Sequence, residues 1–137
     1  MPSPSEPTPE QMLDAMGRTG RAHVSVSRGA LPFVMPCGVR VAGGDVVVET
    51  AHPSVTRGAQ RRDIAAVQVE ALIDGTCWSI SVTGPLAIRS TSDAPQRGDV
   101  VLPTREALFS AECLSSAHGH RAVSYTHLRA HETGRNL

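Results

Sequence analysis

Lysine is absent from this 137-residue chain; all 13 basic side chains are arginines. That excludes Schiff-base chemistry on a lysine amine and any phosphate loop built on one. A bound phosphate would have to be held by arginines, hydroxyls and backbone amides. Aromatic residues make up 3% of the chain, which leaves no base-stacking platform for nucleic acid. The formal net charge is zero, so neither nucleic acid nor an anionic membrane surface is favoured as a partner. No apolar run approaches the ~18 residues of a membrane helix. The stretch Met1 to Pro9 has no apolar core of a secretory signal. Cysteine is sparse and odd in number: Cys37, Cys77 and Cys113, with no Cys-x-x-Cys. A disulfide scaffold or a zinc ribbon is thereby excluded, and a reducing cytoplasm is the expected setting. There is no Ser-His-Asp order, no paired-carboxylate spacing and no Gly-x-Gly-x-x-Gly, so hydrolase and dinucleotide-fold readings have no support.

What is present is a long central hairpin. Residues 65 to 88 form two β-rich runs around Asp74-Gly75, one of the strongest short hairpin signals. In the second run Trp78, Ile80 and Val82 share one face, and Cys77, Ser79, Ser81 and Thr83 share the other. That period of two marks a strand with one buried face. Val67, Val69 and Ala71 repeat the pattern in the first run. Gly84-Pro85 predicts a bulge or a sharp bend. A chain of this length forms one domain and can bury roughly 68% of its unfolded surface.

The remaining elements follow in order. Residues 1 to 8 are Pro- and Ser-rich and are expected to be disordered. Thr8 caps a helix, with Pro9 at its first position, Gln11 completing a capping box, and Gly17 as its end. Met12, Leu13 and Met16 make its apolar face, set to plug or flank a barrel. Three strands in a meander then run from Arg21 to Thr50, with turns at Arg28-Gly29 and at 42–45. Residues 52 to 63 break the β pattern with a short helix capped by Ser54, carrying Arg57, Arg61 and Arg62. After the hairpin, residues 90 to 99 are a polar loop. Val100-Val101-Leu102 and Ala107-Leu108-Phe109 are strand candidates separated by Pro103. The expected class is mainly β: an antiparallel split β-barrel with a short N-terminal helix and one short helix between strands.

The C-terminal run from Val123 to Thr133 resembles translated sequencing-adapter or linker DNA. Residues 123–137 are therefore read as a non-native tail, residues 9–122 as the domain, and the native C-terminus as missing. His127-x-x-x-His131 beside Glu132 has the spacing of a helical metal site. Its adapter-like context makes it an accident, and no metal is expected.

With the strands laid out, the chain resembles the pyridoxamine 5′-phosphate oxidase-like family of flavin-binding split barrels. The resemblance spans roughly residues 11 to 88. It is carried by Leu31-Pro-Phe-Val-Met-Pro36, by Arg61-Arg-Asp63 leading into Val67-Gln-Val-Glu70, and by Cys77-Trp-Ser-Ile-Ser-Val-Thr-Gly84. It implies a homodimer with flavin mononucleotide (FMN) across the subunit interface, and an FMN-dependent oxidoreductase. It also implies roles for particular residues. Met35, Pro36 and Cys37 would run beside the flavin ring. Thr50 would hydrogen-bond the phosphate, helped by Ser54, the helix amides and Arg57. Trp78 and Ser79 would approach from the partner subunit. The family's usual lysine near Thr56 is missing, Glu49 brings negative charge close to the phosphate position, and Thr83 stands where relatives carry arginine.

Each signal has a plainer alternative. Arg57, Arg61 and Arg62 form either a phosphate clamp or a solvated helix face. His52 is a ligand contact or an exposed loop residue. Cys37 is a neighbour of a redox cofactor or an inert buried thiol. Trp78 stacks on a flavin or packs a core. The functional alternative to an oxidoreductase is a non-catalytic module for flavin, deazaflavin or haem, or a member whose site has decayed.

Overall fold

The computed structural model describes residues 5–90, 98–114 and 122–125. The adapter-like motif from His127 onward and the His118-Gly-His120 triplet lie outside them. The described elements are α1 (Pro9–Thr19), β1 (Arg21–Arg28), β2 (Leu31–Ala42), β3 (Asp45–Glu49), α2 (Pro53–Arg61), β4 (Ile64–Ile73), β5 (Thr76–Pro85), β6 (Ala87–Ser90), β7 (Gly98–Leu102), β8 (Leu108–Cys113) and β9 (Ala122–Tyr125). The nine strands form one antiparallel sheet in the order β6-β7-β3-β2-β1-β4-β5-β8-β9. The mainly β, antiparallel split-barrel class expected from the sequence is the class adopted. Strand β9 takes in Val123, Ser124 and Tyr125, the first three residues of the stretch read as a tail, and pairs them with β8.

The central hairpin anchors the sheet. β4 and β5 pair over ten residues each, from Ile64↔Pro85 to Ile73↔Thr76, around the two-residue loop Asp74-Gly75. Both loop residues have positive φ (51° and 80°), the backbone of a type I′ turn, whose twist matches that of the strands it joins. Val67, Val69, Ala71, Trp78, Ile80 and Val82 all point into the core, as the alternation predicts. Gly84 makes no bulge: the register runs through Ala65↔Gly84 to the end of the strand. Its lack of a side chain serves close approach instead. A Cβ there would lie 3.2 Å from Ala107 Cα and from the Glu106 carbonyl oxygen. The bend falls at Leu86, outside both flanking strands, where its N–H donates to the Asp63 carbonyl at 2.9 Å.

Helix α1 starts as the sequence predicts, with Thr8 and Gln11 exchanging capping hydrogen bonds of 2.8 and 3.1 Å. It ends later than predicted. Gly17 stays helical and lies against Val41 of β2, and the helix stops only at Gly20, in the left-handed conformation (φ 70°). Met12, Ala15 and Met16 are fully buried, and α1 packs on β2 and β4. Arg18 ties the helix to the hairpin by donating to the Leu72 carbonyl at 3.2 Å. Helix α2 packs against β1, β6 and β7. Its cap differs from the predicted Ser54: His52 occupies that position. Its C-terminus closes at Arg62 in the left-handed region (φ 59°), with Arg62 and Asp63 donating to the Ala59 and Gly58 carbonyls.

Candidate functional site

The amino end of α2 is where the structure gathers chemistry. The chain leaves β3 at Glu49, and Thr50 Oγ1 accepts from the His52 N–H at 3.2 Å. The His52 Nδ1 then accepts from the Ser54 N–H at 3.2 Å, and its carbonyl accepts from Val55 at 3.1 Å and Thr56 at 3.4 Å. Pro53, at the first helical position, has no N–H to offer. The His52 ring rests 5.4 Å, centroid to centroid, from Phe33 of β2, tilted by 45°. Arg28, at the end of β1, sits over the same Phe33 with its guanidinium carbon 5.5 Å from the ring centre. Phe33, absent from the sequence-derived site, is thus the side chain that ties β2 to the helix start. His52 is half-buried by this contact rather than exposed in a loop.

Arginine pairing separates the candidates for an anion clamp. Arg61 donates to Asp63 at 2.8 Å, and Arg62 donates to Glu106 at 3.0 Å. Both guanidiniums are already neutralised. Arg57 is exposed and makes no ion pair or side-chain hydrogen bond among the described residues. Glu49 is offset as well: Arg40 donates to it at 3.2 Å while also reaching Asp99 at 3.0 Å. Ser54 is 6% exposed, and its hydroxyl has no hydrogen-bond partner among the described residues. A partnerless buried hydroxyl and an unclaimed cation therefore lie within the first five residues of a nine-residue helix, near its positive end.

The other sequence-derived residues divide between the two faces of the sheet. Met35 is buried in the core. Trp78, 1% exposed, is core as well, which corrects its reading as a residue offered to a ligand: the indole is consumed by packing within its own chain. Cys37, two residues after Met35 on the same face, is half-buried. Burial, followed by the charge of Glu49, pushes its thiol up to about 11. Pro36 points outward and lines a depression of about 330 Å³ with Arg21, His23, Gln68 and Glu70. Ser79 is also on the outward face, and its Oγ accepts from Gln68 Nε2 at 3.0 Å. So the structure links Thr50, His52 and Ser54 by hydrogen bonds, sets Arg57 three residues further along α2, leaves Pro36 and Ser79 on the outer face, and takes Met35 and Trp78 inside. Sequence reasoning missed the capping role of His52. The signal was the His-Pro order itself, which puts the histidine immediately before a proline suited to the first helical turn.

The outward face also carries unburied apolar side chains: Val34, Ile64, Leu72 and Leu108. Val34, Ser25, Ala66, Thr83 and Leu108 stand opposite one another across five adjacent strands. They form a row of small or apolar residues.

No family model and no curated protein matches the chain. Its fold does match a solved structure, a Corynebacterium glutamicum protein that carries the provisional name pyridoxamine 5′-phosphate oxidase. The two superpose with a TM-score of 0.55 over 92% of this chain and 96% of the other, at 15% sequence identity. The chain therefore has the fold of the pyridoxamine 5′-phosphate oxidase-like proteins.

Proposed function

We propose that this protein binds FMN, with the phosphate at the amino end of α2 and the flavin ring across the boundary between two copies of the chain. Arg57 supplies the charge, Thr50 and Ser54 supply hydroxyls, and the helix terminus supplies a favourable field. The observation that carries the reading is the pairing pattern of the arginines. Arg61 and Arg62 are spent on carboxylates, while Arg57 beside the helix start is not. Pro36 and Ser79, on the outward face of the sheet, are the side chains this reading sets beside the ring. The shared fold with a pyridoxamine 5′-phosphate oxidase-named protein supports the choice of a flavin over other phosphate-bearing ligands. The three free thiols accord with a cytoplasmic setting.

In this reading the flavin supplies the redox chemistry and the protein binds and orients it. A second reading is a flavin, deazaflavin or haem carrier without catalysis. It is favoured by the state of the titratable groups near the site: the Cys37 thiol is held protonated and the His52 Nδ1 is engaged in a helix cap.

Two measurements test the proposal. Purified protein should be yellow, or turn yellow on adding FMN, with the absorption of an oxidised flavin. Arg57→Ala should weaken FMN by about ten- to a hundredfold, because a charged hydrogen bond contributes about 1.5–3 kcal/mol. Riboflavin, which lacks the phosphate, should lose far less. Equal losses for both ligands, or none for either, would reduce Arg57 to a solvated helix residue.

A further inference from the structure

An anion arriving at α2 meets a competitor. The first turn of a helix offers its free N–H groups to anions. Here Pro53 has none, the Val55 and Thr56 groups go to the His52 carbonyl, and the Ser54 N–H goes to His52 Nδ1. The imidazole occupies the one first-turn donor that a phosphate would otherwise take. It can do so only while Nδ1 carries a lone pair, which puts the proton of the neutral ring on Nε2. Protonation at Nδ1 converts the acceptor into a donor. The Ser54 N–H loses its partner and a positive charge appears beside it.

We infer that His52 is a proton-operated gate on this anion site. Neutral His52 closes the site by capping α2, and protonated His52 opens it by releasing the Ser54 amide and adding a cation. The inference rests on the phosphate-binding reading of α2 and adds its regulation. Phe33 lies against the ring at the helix end, and exchange of a proton at Nδ1 by itself requires no movement of the strands. Linkage makes the effect reciprocal: bound phosphate must raise the proton affinity of His52 by the factor by which the proton tightens phosphate.

The charged and titratable groups on the surrounding elements include Arg28 on β1, Cys37 on β2, Glu49 on β3 with its partner Arg40, Arg89 on β6, Asp99 on β7, and Arg57 on α2. The FMN phosphate itself gains negative charge near pH 6, which acts against the gate. A variant at position 52 separates the two effects. His52→Asn keeps a side chain that caps helices well but does not titrate.

The test is FMN and riboflavin binding to the full chain, followed by flavin fluorescence between about pH 5 and 8, the range in which histidine changes charge. The ratio of FMN to riboflavin affinity in the unaltered chain, divided by the same ratio in His52→Asn, should fall about tenfold across that range, an ordinary strength of coupling between sites. A flat quotient overturns the gate while leaving the FMN site standing. A second arm needs no flavin. In the ligand-free protein the Ser54 amide resonance should move with the imidazole titration of His52, and saturating FMN should shift the midpoint of that titration upward. A Ser54 amide that ignores the titration overturns the gate whatever FMN does. FMN that fails to bind at any pH overturns the underlying site instead.

Discussion

A guanidinium contributes to anion binding only when no carboxylate has already claimed it. Arg61→Ala should therefore leave FMN affinity close to that of the unaltered chain, in contrast to Arg57→Ala. It should change stability by about 0–1 kcal/mol, the usual worth of an exposed pair. Calorimetric titration and a urea melt check both halves. Trp78 makes a different demand. A tryptophan that is 1% exposed belongs to the core, so Trp78→Ala should cost about 3–5 kcal/mol, read as a lower urea midpoint. A tryptophan reserved for a ligand would cost far less. Cys37 is tested through its proton. Its thiol is raised from 9.0 to about 11, so the folded chain holds that proton to higher pH than the unfolded chain does. The contribution to stability is complete below 9.0 and is lost as pH rises towards about 11. Cys37→Ala should flatten the alkaline fall in melting temperature. Since the thiolate is the nucleophile, Cys37 should also alkylate more slowly than free cysteine at about pH 8, as mass spectrometry of labelled peptides would show.

At the scale of elements, the β4–β5 hairpin depends on two consecutive residues with positive φ. Asp tolerates that backbone and a β-branched side chain does not. Asp74→Val should cost roughly 1–2 kcal/mol, whereas Asp74→Asn should be neutral, both measured by chemical denaturation. The strand pattern from β1 to β5 was legible because it is local, whereas β6 and β9 were not read as strands. Alternation, the Asp-Gly turn and the Thr8–Gln11 capping box each need only a few neighbouring residues. The two helix boundaries that were misplaced depend on contacts across the fold. Gly17 stays helical where it lies against Val41, and His52 rather than Ser54 becomes the cap where Phe33 holds the imidazole at the helix end.

At the scale of the molecule, the outward face of the sheet is the proposed meeting surface of two chains. Its row from Val34 to Leu108, with Ile64 two residues from Ala66 along β4, is apolar enough to seek cover. A symmetric partner covering roughly 800 Å² of each chain would suffice for a stable dimer. The full chain should sediment as a dimer at micromolar concentration. Val34→Asp combined with Leu108→Asp should give a folded monomer and weaken FMN at the same time, because the proposed ring site lies across the boundary. A unaltered chain that sediments as a clean monomer would remove both the dimer and the shared site.

The sequence by itself determined much of the inventory of this protein: the strands through the central hairpin and their inward faces, the turn chemistry of that hairpin, a capped N-terminal helix, and, through the absence of lysine, arginines, hydroxyls and amides as the groups left to hold any anion. These follow from short-range sterics and from residue chemistry, which distant parts of the chain do not alter. The tertiary structure decided which of those groups remain available. Arg62 is neutralised by Glu106, 44 positions away, and Arg40 joins Glu49 to Asp99, 59 positions from Arg40. Neither pairing has a local signature. The same holds for Trp78, whose strand position predicts a buried face but not whether that face meets its own core or a ligand. Its 1% exposure within its own chain places it in the core. Availability of charge and of surface is a long-range property, so the candidate site became legible only once the sheet had closed around its helices.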